Sequence, residues 1–294
     1  MPDVFSDHRE LLFSVVYNIL GSVADTEDVL QETWLAWTGR AGSAGAEPVE
    51  NPRAYLVRVA VNRALAQRAT ITRRKETYVG PWLPEPIVRP LVAGDTADGA
   101  DAVERAESVS MALLVVLETL TPLERAVFVL HEVFGYAHTE IAEILGRSPA
   151  AVRQLAHRAR EHVQARRPRY EPDPQVRRQV TERFLAATLG GDLEALLELL
   201  APEVTLWGDG GAQGAGGSRP MQGREKVARL LAALAARPGP GLRVAYRRTN
   251  GDPSALLLAG DDPYAVVVLD LTPDDQQVCG IYVVANPEKL SHVG

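Results

Sequence analysis

TEIAEILGRSPAAVRQLAHRAREHVQARR, residues Thr139–Arg167, decides how the rest of the chain is read. Ile141 opens an apolar helix that reaches Leu145; Gly146 and Arg147 follow, then Ser148 and Pro149. Gly146 can take the left-handed conformation that ends a helix. Ser148 offers an acceptor to the free N–H groups of a new helix, and Pro149 loses nothing at its first position. Two helices therefore meet across a turn of about three residues, a helix-turn-helix signature. At helical spacing the second helix, running to about Arg166, separates into faces. Val152, Leu155, Ala156, Ala159 and Val163 form an apolar stripe, with Arg153, Gln154, His157 and Arg158 opposite. From Arg147 to Arg169 seven arginines meet one acid, Glu161, a local net charge of +6. A DNA major groove asks for such a face: Arg for phosphate and guanine, Gln for adenine. Arg147, Ser148, Arg153, Gln154, His157 and Arg158 are the candidate contacts. A merely solvated basic helix would not need this turn chemistry.

At 294 residues, 46% of them hydrophobic, the chain is expected to hold two or three domains with ordinary cores. One cysteine, Cys279, excludes an internal disulfide and a cysteine-cluster metal site, and suits a reducing cytoplasm. No run approaches the roughly 18 apolar residues that cross a bilayer, so a soluble cytoplasmic chain without membrane contact is expected. No metal, cofactor or catalytic residue is indicated. The net charge of −7 argues against nucleic acid, but its distribution argues for it. Residues 1–50 carry −7, 51–78 carry +6, 79–146 carry −8, and the helix-turn-helix returns to +6. Patches rather than totals set the field over a Debye length. Two basic blocks suggest two DNA contacts, and the acidic blocks leave surfaces for a basic partner.

Upstream, the spacing predicts a helix over Asp7–Leu20, ended by Gly21, and a second opened by Ser22 with Asp25, Glu27 and Asp28 in its first turns. Leu30, Trp34 and Trp37 line up as its apolar face. Asn51-Pro52 caps a long helix, NPRAYLVRVAVNRALAQRATITRRK. Its Arg53, Arg58, Arg63 and Arg68 recur every five residues and walk around the axis, so some must serve internal ion pairs. Arg73-Arg74-Lys75 suits phosphate better. YVGPWLPEPIVRP, Tyr78–Pro90, holds four prolines in thirteen residues and reads as a linker. Thr121-Pro122-Leu123-Glu124 is a capping box opening a helix to Phe134. Beyond Pro168–Pro174 come helices at about Gln175–Leu189 and Leu193–Leu200, a strand Val204–Trp207, a Gly-rich loop 208–217 and a helix Gly223–Ala236. Strand-like runs Leu242–Arg248, Ala255–Leu258, Ala265–Leu271 and Val278–Val284 follow, with Asn250-Gly251 as a turn. This order indicates an α+β domain with a curved antiparallel sheet.

GSVADTEDVLQETWLAW, NPRAYLVRVAVNRAL and LTPLERAVFVLHEVFGYAHTEIAEILGRSPAAVRQLAHRAR resemble, in order, regions 2.1/2.2, 2.3/2.4 and 4 of an extracytoplasmic-function (ECF) sigma factor. The last third resembles the SnoaL-like fold, carried by a recognised ECF group. WLPEP (Trp82, Leu83, Pro84, Glu85, Pro86) matches that group's linker motif in full. NPEKL (Asn286, Pro287, Glu288, Lys289, Leu290) matches NPDKL with one change, and DGGAQ, beginning Asp209, Gly210, Gly211, matches DGGGK in part. The resemblance implies two all-α domains, 1–78 (region 2) and 102–168 (region 4), joined by a linker 79–101. A short linker 169–174 then leads to a SnoaL-like α+β cone, 175–294. It further implies that Asp25, Glu27, Asp28, Gln31 and Glu32 meet core RNA polymerase at the clamp helices of its largest subunit, with the flap a further contact. Asn62, Arg63, Gln67, Arg68, Arg73, Arg74 and Lys75 would meet minus-ten promoter DNA, and the basic helix of region 4 the minus-thirty-five duplex. The three short motifs would regulate in cis, replacing an anti-sigma protein.

Rival readings of the C-terminal third are an enzyme, for which Asp209 and Asp270 are the available carboxylates, and a ligand sensor. A helix-turn-helix regulator with an effector domain is the other class of function. That class leaves the acidic helix and the Asn-Pro helix of the first 80 residues without employment.

Overall fold

The computed structural model describes residues 2–41, 49–90, 109–165, 173–211, 219–235, 241–274 and 277–293. Expectations for the helix restart near Ala102, for linker residues 91–101 and for Ala212 and Gln213 lie outside them. The described residues fall into two compact units: 2–76 with 109 and 113–165, and 77–90 with 110–112 and 173–293. Among the described residues no helix is long and apolar enough to cross a membrane.

The first unit is all helical. α1 (Pro2–Leu20), α2 (Val23–Ala41) and α3 (Pro52–Glu76) form a bundle whose centre is Leu12, Val15, Val16, Ile19, Leu30, Trp37, Leu56, Val57, Ala60 and Val61. Gly21, at φ 74°, makes the α1–α2 break, and the Asn51 side chain caps α3 by accepting from Ala54 N–H at 3.0 Å. α4 (Met111–Leu117) leads to α5 (Pro122–Phe128), which begins in the expected capping box: Thr121 Oγ1 accepts from Glu124 N–H, and Glu124 accepts from Thr121 N–H. The helix expected to run unbroken to Phe134 instead widens into a π turn at Val129–Val133 before Gly135. α6 (His138–Leu145) ends at Gly146, left-handed at φ 62°, ψ 41°. Ser148 caps α7 (Pro149–Gln164) by accepting from Ala151 N–H at 3.2 Å.

The two helical parts were expected as separate bodies; here α3 packs on α5 and α6, and α1 on α5 and its π turn. A buried ionic hub lies between them. Glu118, just past α4, accepts from Arg68 of α3 at 2.8 Å, from Arg125 of α5 at 2.5 Å, and from Lys75 of α3. Arg125 has no exposed side chain surface, and its Nε donates to the Asn18 carbonyl of α1 at 2.8 Å. Arg68 donates likewise to the Leu20 carbonyl at 3.0 Å.

The second unit is α+β. α8 (Pro174–Gly190), α9 (Leu193–Leu199) and α10 (Arg224–Ala235) cover one face of a seven-stranded sheet, ordered β1-β4-β5-β6-β7-β2-β3. Its strands are β1 (Val88–Pro90), β2 (Leu200–Asp209), β3 (Met221–Gln222), β4 (Leu242–Thr249), β5 (Asp252–Ala259), β6 (Asp262–Leu271) and β7 (Val278–Val284). β4 to β7 form the expected antiparallel meander, and Asn250 (φ 52°) with Gly251 (φ 81°) makes its first two-residue turn. One pair departs from expectation: β2 runs parallel to β7, because α10 crosses over before the meander begins. Phe184, Leu196, Leu199, Val227 and Leu231 pack with Ala255, Val267, Leu269 and Ile281 on the helix-covered face. Leu256, Val266, Val268, Tyr282 and Val284, which alternate with these, are buried as well, and the short helix α11 (Pro287–Leu290) packs on β6. A sheet covered on both faces explains why β6 reads as a continuous apolar run rather than an alternation.

Replacing Thr121 by Ala removes an N-cap acceptor and half a capping box, and should lower stability by about 1 kcal/mol. Gly146→Ala forces a Cβ into left-handed backbone and should cost about 1–2 kcal/mol. Urea titrations followed by helical circular dichroism measure both.

Candidate nucleic-acid interface

α7 places its residues as its sequence divides them. Val152, Ala156, Ala159 and Val163 are buried and Leu155 is half-buried, while Arg153, Gln154, His157 and Arg158 are exposed, as are Arg147 and Ser148 at the turn. Two of the exposed side chains are held. Glu124 receives Arg158 Nε at 3.0 Å on one carboxylate oxygen and closes the Thr121 box with the other. Burial alone would raise the Glu124 carboxyl, but Thr121 and Arg158 outweigh it and hold the group below its usual value. His157 lies 3.5 Å from Glu161 one turn on.

On α3 the arginines do diverge. Arg53 lies over the Tyr136 ring, Arg58 over Tyr55, Arg63 pairs with Glu32, and Arg68 is buried against Glu118. Asn62 Nδ2 donates to the Arg58 carbonyl at 2.8 Å and to the Ile144 carbonyl of α6 at 2.9 Å. Gln67 and Arg74 both donate to Asp25, at 2.7 and 2.5 Å. Lys75 is on the Glu118 hub, and Arg73 is exposed. Of the seven α3 residues named from the sequence, Asn62, Arg63, Gln67, Arg68, Arg74 and Lys75 thus have partners inside the first unit.

α2 presents Glu27, Asp28, Gln31 and Glu32 to solvent, whereas Asp25 is buried. Burial pushes the Asp25 carboxyl up, but hydrogen bonds from Arg74, Gln67 and Ser22 win and lower it. Trp34, expected on the inner face, is 42% exposed and Leu35 54%. Positions 27, 28, 31, 34 and 35 form one helical stripe, so an acidic patch carries two apolar anchors. The heptad-like spacing Trp34 shares with its neighbours was legible; the inner face was already filled by Val29, Leu30, Thr33 and Trp37.

In the second unit the three short motifs meet at one buried carboxylate. Asp209, at the end of β2, accepts from Leu83 N–H at 2.8 Å, Lys289 Nζ at 2.7 Å, Gly211 N–H at 3.3 Å and the Tyr78 hydroxyl. Lys289 also donates to the Leu83 carbonyl at 2.5 Å and stands 3.6 Å from the centre of the Trp82 ring. Tyr78 packs edge-on to Trp82 and accepts from Asn286 Nδ2 at 2.8 Å. Burial first, then Asp209, pushes the Tyr78 phenol upward, so it stays a donor. Leu83, Pro84 and Pro86 are buried, Glu85 is half-buried, and Pro287 and Glu288 face solvent. Gly211 must be glycine: its φ is +64°, and a Cβ there would lie 2.9 Å from Asn286 Cγ. Gly210 is buried between these two contacts, and Leu290 is buried beyond Lys289. The linker then continues as protein edge: Ile87 exchanges hydrogen bonds with Asn250, and Val88–Pro90 pairs with Arg247–Thr249.

With four donors on its two oxygens, Asp209 has no lone pair to offer a substrate, which removes it as a general base. Tyr78 and the β1 pairing were not foreseen. An aromatic directly ahead of a proline-rich segment was their only signal.

Models of the sigma-70 family match twice: region 2 over residues 4–74, and region 4 over residues 110–163. The ECF RNA polymerase sigma factor SigJ of Mycobacterium tuberculosis is 39% identical over 295 residues, covering 98% of this chain and 92% of the relative. SigG of the same organism, also an ECF sigma factor, is 31% identical, covering 91% and 76%. The crystal structure of M. tuberculosis SigJ superposes with a TM-score of 0.75 at 36% identity, covering 99% of this chain and 98% of that one. Helices in the order of regions 2 and 4, a basic helix-turn-helix and full-length likeness to SigJ place this chain among the ECF sigma factors, the promoter-specificity subunits of bacterial RNA polymerase.

Proposed function

We propose that the C-terminal α+β domain governs this sigma factor in cis by gripping the segment between regions 2 and 4. The observation that carries this reading is the Asp209 knot. Residues 78–90 do not stand as free tether: their backbone and aromatic rings are bound to β2, β4 and the α11 turn of the second unit. A tethered contact of this kind acts at millimolar effective concentration, so it needs no separate anti-sigma protein.

For the partners, we assign the α2 stripe of Glu27, Asp28, Gln31 and Glu32, with Trp34 and Leu35, to the clamp helices of the largest polymerase subunit. Exposed aromatic anchors ringed by charge are the composition that protein interfaces favour. α7 reads the minus-thirty-five duplex through Arg153, Gln154, His157 and Arg158, with Glu124 orienting Arg158. α3 serves minus-ten DNA, with Arg73 free for it and Arg68, Arg74 and Lys75 reaching it once their internal partners release them.

Three outcomes test these assignments. Lys289→Met leaves the buried Asp209 carboxylate without its counter-ion, a change that costs about 3–5 kcal/mol when a buried pair is broken. The Leu83 amide should lose hydrogen-exchange protection, and transcription from a cognate promoter with core polymerase should change. Deleting 175–294 should change transcription in the same sense; unchanged output from both would remove the regulatory reading. Alanines at Asp28 and Glu32 should weaken core-polymerase binding in a salt-dependent way and spare binding of a minus-thirty-five duplex. Arg153→Ala should cost about 1–3 kcal/mol in duplex binding, mostly as lost discrimination between sequences.

A further inference from the structure

We propose that Glu124 is a positioning residue for promoter recognition: its carboxylate, anchored at the start of α5, holds Arg158 of α7 so that the guanidinium presents its Nη1–Nη2 edge to one guanine of the minus-thirty-five duplex. The proposal deepens the reading of α7 as the minus-thirty-five helix and rests on it.

The two oxygens of Glu124 are divided between two tasks. Oε2 accepts from the Thr121 backbone N–H at 3.2 Å and from the Thr121 hydroxyl at 2.8 Å, contacts that belong to the capping box. These contacts fix the side chain in one pose. Oε1 is thereby set toward α7, where it accepts from Arg158 Nε at 3.0 Å. The pair joins residues 34 apart in the chain, on two helices that pack together. Exposure is uneven: 14% of the Glu124 side chain meets solvent and 54% of the Arg158 side chain. The anion lies beneath and the cation stays at the surface. Burial works against the Glu124 carboxylate, but Thr121 and Arg158 outweigh it and keep the group ionised at neutral pH.

A guanidinium offers five N–H donors in a rigid fork. With Nε taken, the side edge of Arg158 is closed to a ligand, and the end edge, Nη1 with Nη2, is left. Guanine shows O6 and N7 side by side in the major groove, two acceptors for such an edge. A phosphate accepts arginine in many poses, so a fixed pose adds little there; a base edge rewards it. Charge points the same way. Arg158 and Glu124 sum to zero, so the pair adds little to the sequence-independent attraction of the DNA backbone. Arg160 shows the contrast: it gives both Nε and Nη2 to Glu132, at 3.1 and 2.6 Å, which leaves one Nη and no intact edge. Arg153 is exposed on α7 five residues before Arg158. That is about 7.5 Å along the helix axis, or about two base-pair steps, so the two arginines address different base pairs.

The test is transcription by holoenzyme, assembled from the full chain and core polymerase, on a promoter library randomised at both elements. Sequenced transcripts give the base preference at every position. Glutamine at position 124 preserves the capping box, because its amide oxygen accepts from Thr121, but it turns an NH2 toward Arg158 Nε, donor against donor. Glu124→Gln should therefore flatten the guanine preference at about one or two neighbouring minus-thirty-five positions roughly tenfold, the scale of one bidentate base contact. The minus-ten preferences should match the parent. Arg158→Lys keeps the charge and leaves the cap alone; it should flatten the same positions, and the double variant should do no more than either. Arg153→Ala should flatten a different position, about two base pairs away. If Glu124→Gln loses its cooperative melt, Glu124→Asp, one methylene short of Arg158, takes its place with the same expectation. Intact upstream preferences in the Glu124 variant overturn the proposal, as does a loss at positions other than those of Arg158→Lys. An even loss across all upstream positions also overturns it, since a cap that only steadies α5 would give that result. Should Arg153→Ala change a preference while the Glu124 variant does not, the role of Glu124 alone falls; should neither change one, the reading of α7 falls with it.

Discussion

The Asp209 carboxylate is the constraint around which the C-terminal unit is built. A buried carboxylate is tolerable only when its lone pairs are satisfied, and here the four donors come from stretches far apart in the chain. Tyr78 and Leu83 come from the linker, Gly211 from the loop after β2, and Lys289 from the turn after β7. Each donor is useful only if the others arrive, because a half-satisfied buried charge is worse than none. This mutual dependence makes a proline-rich connector into a part of a domain. Lys289 adds to it by spanning charge, carbonyl and aromatic ring at once.

The first unit meets a related problem in another way. Its two helical parts share a core that includes Arg125 and Glu118, where a hydrophobic pair would pack with less desolvation. Asp25 repeats the theme on a smaller scale, binding Gln67 and Arg74 between α2 and α3.

Much of this was legible in the sequence because local chemistry spoke alone. Gly146, Ser148 and Pro149 specify their turn without help, as do Thr121 and Glu124, Asn51 and the Asn250-Gly251 pair. The faces of α7 followed from period. What escaped were contacts whose partners lie between about fifty and two hundred residues away. Nothing local to Tyr78 names Asp209, and the five-residue arginine step of α3 says that some must turn inward without saying that Glu118 receives one. Trp34 was misplaced because periodicity ranks a large aromatic as core, and only the filled interior beneath α2 forces it out. The parallel β2–β7 pair was hidden for a related reason: strand runs give positions but not the edge that a crossover delivers them to.

Lys289 reaches back to Leu83 across 206 residues of chain. On a ribosome adding ~5–20 residues per second, that separation amounts to about 10–40 s between the emergence of the connector and the arrival of the residue that fastens it. During that interval both helical parts have left the tunnel, or are leaving it, with the segment between them unclaimed. A newborn copy therefore passes through an interval in which its connector has been made but the lysine that completes its anchorage has not.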